Sequence, residues 1–171
     1  MGIYIISVLC IVIGIAIDQY TKYLAVTQLQ NAPIPIIEGV FELRYLENRG
    51  ASFGILQNQQ WLFLIITVIL LVIITRLYIK LPRSKRTWPL RICMLLITAG
   101  AIGNMIDRIR LGYVVDFLYF KLIDFPIFNV ADIYVTVSTL LIAFLILFYY
   151  KEEEFDNILK EFWGKQNQKQ E

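Results

Sequence analysis

Histidine is absent from all 171 residues. That excludes a Ser-His-Asp triad, a Cys-His pair and the histidine-based zinc sites of the common metallopeptidases. Any hydrolytic chemistry must fall to carboxylates or to a Ser/Lys pair. Charge is scarce as well: 18% of residues are charged and 58% are hydrophobic, against roughly 25% and 45–50% in soluble domains. The net charge of only +2, with no basic groove interleaved with aromatics, excludes a nucleic-acid partner. Cys10 and Cys93 both fall inside apolar runs. They are too few for a disulfide framework and read as small buried hydrophobes.

What remains is a chain solvated by lipid. A hydrocarbon core about 30 Å thick needs about 20 mostly apolar helical residues, and four segments supply them: Ile3 to Tyr23, Trp61 to Ile79, Leu90 to Arg108 and Ile133 to Tyr150. The fold class is therefore mainly α, a polytopic membrane protein of four transmembrane helices. The first segment has no basic stretch before it and no small-residue cleavage site, so it is expected to be retained. Six basic residues fall between Arg76 and Arg91, whereas the longer first loop carries Arg44 and Arg49 with Lys22 near its start. By the positive-inside rule the second loop and both termini face the cytoplasm.

The first loop has a pattern of its own. Pro33 and Pro35 exclude helix, and Phe41-Glu42-Leu43-Arg44-Tyr45 alternates as a half-buried strand does. A small β platform at about residues 36–53, on the outer side, is expected. From Lys151 the tail mixes four lysines with six acids and sets Phe155, Ile158, Leu159, Phe162 and Trp163 at helical spacing. It reads as an amphipathic helix on the inner surface, the alternative being disorder.

Ionisable groups in or beside spans mark functional sites by default. Asp18, Asp107, Asp116, Asp124 and Asp132 all map to the outer half of the bundle or to its third loop. Asp18 and Lys22 share a helix face and can simply pair. Gly100, Asn104 and Asp107-Arg108 form a polar stripe on span three, where Ala99 and Gly103 make a small-xxx-small pattern that permits close helix approach. Asn129 can cap span four, which suits an acid at Asp132. Capping does not explain why Asp116 reaches the same depth beside it. Two carboxylates at close range share a proton, one acting as base towards water and the other as donor to a carbonyl. By position alone, Asp18 or Asp107 could supply one member.

Five blocks in order, Asp18-Gln19-Tyr20-Thr21-Lys22, Asn48-Arg49-Gly50-Ala51-Ser52-Phe53, Gly100 to Arg108, Val114-Val115-Asp116-Phe117 and Phe128-Asn129-Val130-Ala131-Asp132, resemble lipoprotein signal peptidase, also called signal peptidase II. The resemblance runs from span one to the start of span four. It implies that Asp116 and Asp132 are a catalytic pair, that Asn48, Gly50, Asn104, Asp107, Arg108 and Asn129 form the surrounding shell, and that Asp18 and Lys22 support it. It further implies an aspartyl endopeptidase with no metal and no cofactor, acting as a monomer in the bacterial cytoplasmic membrane with its site towards the outer face. The implied substrate is a diacylglyceryl-modified prolipoprotein, cut just before the lipidated cysteine, with membrane lipid as the other partner. Residues 1–150 would be the peptidase domain and 151–171 a cytoplasmic tail. Ser52 departs from the family, many members having alanine there. A transporter and a Ser52/Lys22 peptidase are the competing readings, with a purely structural membrane subunit behind them.

Overall fold

A computed structural model describes residues 2–50, 59–154 and 156. Four of its helices are long and apolar enough to cross a membrane: α1 (Gly2–Gln28), α2 (Gln60–Lys80), α3 (Trp88–Leu111) and α4 (Val130–Phe144), the last continued by a π turn over Leu145–Tyr149. All four expected spans are present, with ends shifted by a few residues. Ser52 and the tail's Phe155, Ile158, Leu159, Phe162 and Trp163 lie outside the described residues.

The helices are apolar outside and small or polar inside. Along α1 the buried residues are Ser7, Gly14, Asp18, Lys22 and Ala25, a single stripe, while Ile5, Ile6, Leu9, Val12 and Ile13 are exposed. This inverts the pattern of a soluble helix. Lipid solvates the outer apolar faces, so association rests on close packing and polar bonds instead of hydrophobic burial. Cys10 belongs to that exposed face of α1 and only Cys93 is buried, which corrects the reading of both thiols as buried. A span solvated by lipid has no need to turn its apolar side chains inwards.

Helix α3 packs against α1, α2 and α4. Its small residues allow this. A β-carbon added at Gly100 would lie 2.5 Å from the Ala131 carbonyl oxygen, and one added at Gly103 would run into the Asp18 carboxylate. At one end of the bundle Ile74, Leu81, Leu90, Cys93, Met94, Ile97, Leu145 and Tyr150 form an apolar cluster. There the buried Arg91 donates to the carbonyls of Tyr78, Leu81 and Pro82, satisfying oxygens that the end of α2 leaves without intrahelical partners.

The opposite end carries an antiparallel sheet in the order β1 (Ile34–Ile37), β2 (Phe41–Asn48), β3 (Val114–Tyr119). The first two strands fall where the platform was expected. The third was not foreseen: Asp116 had been read as lying beside a helix end. Gly112, at φ 77°, takes the left-handed conformation that ends α3 and donates its N–H to the Arg108 carbonyl. The chain then enters β3, whose Val114, Val115, Asp116 and Phe117 are all buried. A strand buried on both faces has no alternation to read. Val115 and Phe117 pack with Ala25 of α1 and with Leu29 just past its end, joining sheet to bundle.

Candidate active site

Asn129 organises the site. Its side chain caps α4 by accepting the Asp132 N–H at 3.0 Å, while its own N–H donates to Asp132 Oδ2 at 3.1 Å. This reciprocal box satisfies two of the free donors at the start of a helix. The amide left over points at β3: Asn129 Nδ2 donates to Asp116 Oδ1 at 2.6 Å. Both aspartates therefore bond to one fully buried asparagine. The capping and catalytic readings of Asp132 are two uses of one geometry.

Each carboxylate oxygen has a donor. Asp116 Oδ2 accepts from Asn48 Nδ2 at 2.8 Å, and Asn48 Oδ1 accepts the Gly50 N–H at 3.0 Å, which fixes the amide's orientation. Asp132 Oδ1 accepts from Asn104 Nδ2 at 2.8 Å. Asn104 Oδ1 in turn accepts from Asn129 Nδ2 at 3.1 Å and from Lys22 Nζ at 2.8 Å. The Asp116 carboxyl is pushed up to about 7, first by burial and then by the neighbouring charge of Asp132, against the opposing donors Asn48 and Asn129. A group so placed holds a proton near neutral pH, which a carboxyl pair needs if one member is to be an acid.

The other aspartates are differently placed. Asp18 and Asp107 each lie 2.9 Å from Lys22 Nζ. Lys22 Nζ is shared among three acceptors, Asp18, Asp107 and Asn104, an arrangement that suits an ion pair and not the base of a Ser52/Lys22 pair. Asp107 also accepts from Gln19 Nε2 at 2.9 Å and from the Val115 N–H at 3.1 Å. Asp107 thus has a cation beside it, whereas the donors to Asp116 are the neutral amides of Asn48 and Asn129. Gln19, which the sequence reading passed over, donates to Asp18 and to the Gly103 carbonyl as well. A polar side chain next to Asp18 in an apolar span was the signal available. Asp124 lies apart and accepts from the Tyr119 hydroxyl at 2.5 Å.

Two features face what would approach the pair. The Arg108 guanidinium lies over the Phe63 ring, 4.7 Å from its centroid, and its buried Nε has no hydrogen-bond partner among the described residues. Beside Asp132 a cavity of about 290 Å³ is lined by Phe125, Phe128, Ile133, Thr136 and Val137, among others. A cation, two carboxylates and an apolar recess thus meet where the end of α3 and the start of α4 adjoin the sheet.

Comparison with known proteins agrees with this arrangement. The model of the family described as signal peptidase (SPase) II matches residues 10–148. A lipoprotein signal peptidase of Streptococcus pyogenes serotype M5 is 41% identical over 151 residues, which is 88% of this chain and 96% of the relative. One from Streptococcus thermophilus is 49% identical over 140 residues, covering 81% and 88%. A solved bacterial membrane enzyme, determined by the in meso method at 2.3 Å, superimposes with a TM-score of 0.76 at 34% identity over 85% of this chain and 92% of its own. With the match extending over most of the chain in sequence and in fold, this membrane peptidase belongs to the signal peptidase II family.

Proposed function

We propose that the protein is an aspartyl endopeptidase that removes the signal peptide of diacylglyceryl-modified bacterial prolipoproteins by cutting just before the lipidated cysteine. The observation that carries the reading is the pair of carboxylates, Asp116 and Asp132, bonded to a single buried asparagine, where burial and the charge of Asp132 push the Asp116 carboxyl up to about 7. Asp132, in the first turn of α4 where the helix dipole favours an anion, is the base. It takes a proton from water as the oxygen attacks the scissile carbonyl carbon, while Asp116 gives its proton to the carbonyl oxygen. In the collapse Asp116 recovers that proton, Asp132 passes its own to the leaving nitrogen, and the C–N bond breaks. Arg108 is free to take a backbone carbonyl of the substrate, and the apolar recess accepts part of its apolar surface. Residues 1–150 make up the peptidase domain, which works as a monomer.

The test is purified protein, in detergent or lipid, with a diacylglyceryl-modified prolipoprotein. Intact signal peptide should be released, and serine-directed acylating reagents should leave the rate unchanged. Acyl chains that stay in the bilayer hold the scissile bond at the depth of the pair, a proximity effect. An unmodified precursor should therefore be cut at least about a hundredfold more slowly. Equal rates on the two precursors would point to a general signal peptidase.

We also propose that the chain lies in the cytoplasmic membrane with both termini inside and the sheet outside, from the basic residues between Arg76 and Arg91. In a background lacking Cys10 and Cys93, single cysteines at the exposed positions Glu38 and Ser84 separate the two orientations. An impermeant thiol reagent on intact cells should label the Glu38 site and spare the Ser84 site; the converse would invert the topology.

A further inference from the structure

Three charged side chains that do not touch Asp116 or Asp132 hold the backbone that carries them. The N–H of Val115, one residue before Asp116, donates to Asp107 Oδ2 at 3.1 Å. The N–H of Ala131, one residue before Asp132, donates to Asp18 Oδ1 at 3.0 Å. Lys22 Nζ joins the two carboxylates, 2.9 Å from Asp18 Oδ2 and 2.9 Å from Asp107 Oδ2. Asp18, Lys22 and Asp107 are 0%, 3% and 3% exposed. The chain of bonds thus runs from the peptide before one aspartate, through carboxylate, ammonium and carboxylate, to the peptide before the other.

We propose that Asp18, Lys22 and Asp107 are positioning residues, an ionic yoke that sets the separation of Asp116 and Asp132. The inference rests on the assignment of those two aspartates as the catalytic pair. They stand on a strand and a helix joined through a loop, and neither element alone fixes their distance. Without the cation, Asp18 and Asp107 repel each other, and the two gripped peptides move apart with them. Lys22 has a second effect. Its donor to Asn104 Oδ1 excludes the flipped amide, which would set NH2 against the ammonium, so Asn104 Nδ2 must face Asp132.

An ion cluster that only stabilised the bundle would give a different outcome on substitution. A buried charge left without its partner is strongly destabilising, whereas removing both partners can be nearly neutral. The variants are Lys22→Met, Asp107→Asn and the triple variant Asp18→Asn/Lys22→Met/Asp107→Asn, which leaves no charge of the yoke buried without its partner. The charged groups facing the pair are Lys22 and Asp18 of α1, and Asp107 and Arg108 of α3. Removing the Lys22 cation should move the basic limb of the kcat profile to higher pH, and removing the Asp107 anion should move it to lower pH. Despite these opposite charge changes, kcat should fall in both single variants by about a hundredfold, as a displacement of about 1 Å produces, with KM little changed. The triple variant, with no buried charge left unpaired, should recover thermal stability in micelles relative to Lys22→Met while kcat stays low. Peptidase activity of the unaltered protein, measured alongside, tests the underlying reading separately. If kcat follows the melting temperature across the three variants, or the triple variant recovers both, the yoke is a structural ion cluster and the proposal is overturned.

Discussion

Asp116→Asn and Asp132→Asn should each abolish signal-peptide release, by about 10⁴-fold or more, while the four-helix fold survives. Asparagine has nearly the shape of aspartate but takes no proton from water at neutral pH. Either change therefore removes one half of a proton exchange that needs both halves. Because the carboxylates act as one unit, the double variant should be hardly worse than either single one. In the unaltered protein, activity should fall as pH rises through about 7, where the proton held on Asp116 is lost. The same proton appears in stability. The folded Asp116 carboxyl lies near 7, above the unfolded value of about 3.9, so its contribution is greatest below about pH 4 and is lost as pH rises to about 7. Melting curves should shift in favour of Asp116→Asn across that window, by about 4 kcal/mol at most, and run parallel above it. Asp124→Asn is the control. Its partner is the Tyr119 hydroxyl, an oxygen of asparagine can still accept from it, and the left-handed φ of 47° is one that asparagine tolerates. Turnover by folded Asp116→Asn or Asp132→Asn would mean that another carboxylate does the chemistry.

The spans were legible because lipid imposes one rule on every exposed face, and the rule appears in composition. The inward stripe was legible for the same reason: Gly100, Gly103 and Asp107 fall at helical spacing among residues that lipid would accept, and all three are buried. Asp18 and Lys22 were readable as a pair because they are four residues apart on one helix. The second bond of Lys22, to Asp107, was not readable, since it depends on how α1 meets α3. Strand β3 escaped because burial of both faces erased its period. Asn129 was seen as a helix cap, but its amide bond to Asp116 requires β3 to lie beside α4. What the sequence conceals, then, is the contact between elements, and the site is made almost wholly of such contacts.

Substitutions at Asn129 should separate the cap from the chemistry. Serine and aspartate are both good N-caps, each able to accept the Asp132 N–H as Asn129 Oδ1 does now. Neither supplies the Nδ2 donor that reaches Asp116 Oδ1 and Asn104 Oδ1. With the cap intact, Asn129→Ser should keep helix α4 and lose about a hundredfold in kcat, a typical cost for one preorganised donor at a reacting group. Asn129→Asp should be worse by a further factor of about 10 or more, although it caps at least as well. It sets a third carboxylate where the amide now stands 2.6 Å from Asp116 Oδ1, and like charges at that range cannot all ionise. The new acid then competes for the proton that the pair must hold on Asp116. Helix content and kcat, measured together in micelles, should therefore rank the variants differently: helix content level across Asn, Ser and Asp, because each caps α4, and activity falling in that order. If Asn129→Ser and Asn129→Asp both kept the activity of the unaltered protein, the amide's contact with Asp116 would have no part in the reaction, and Asn129 would be a helix cap alone.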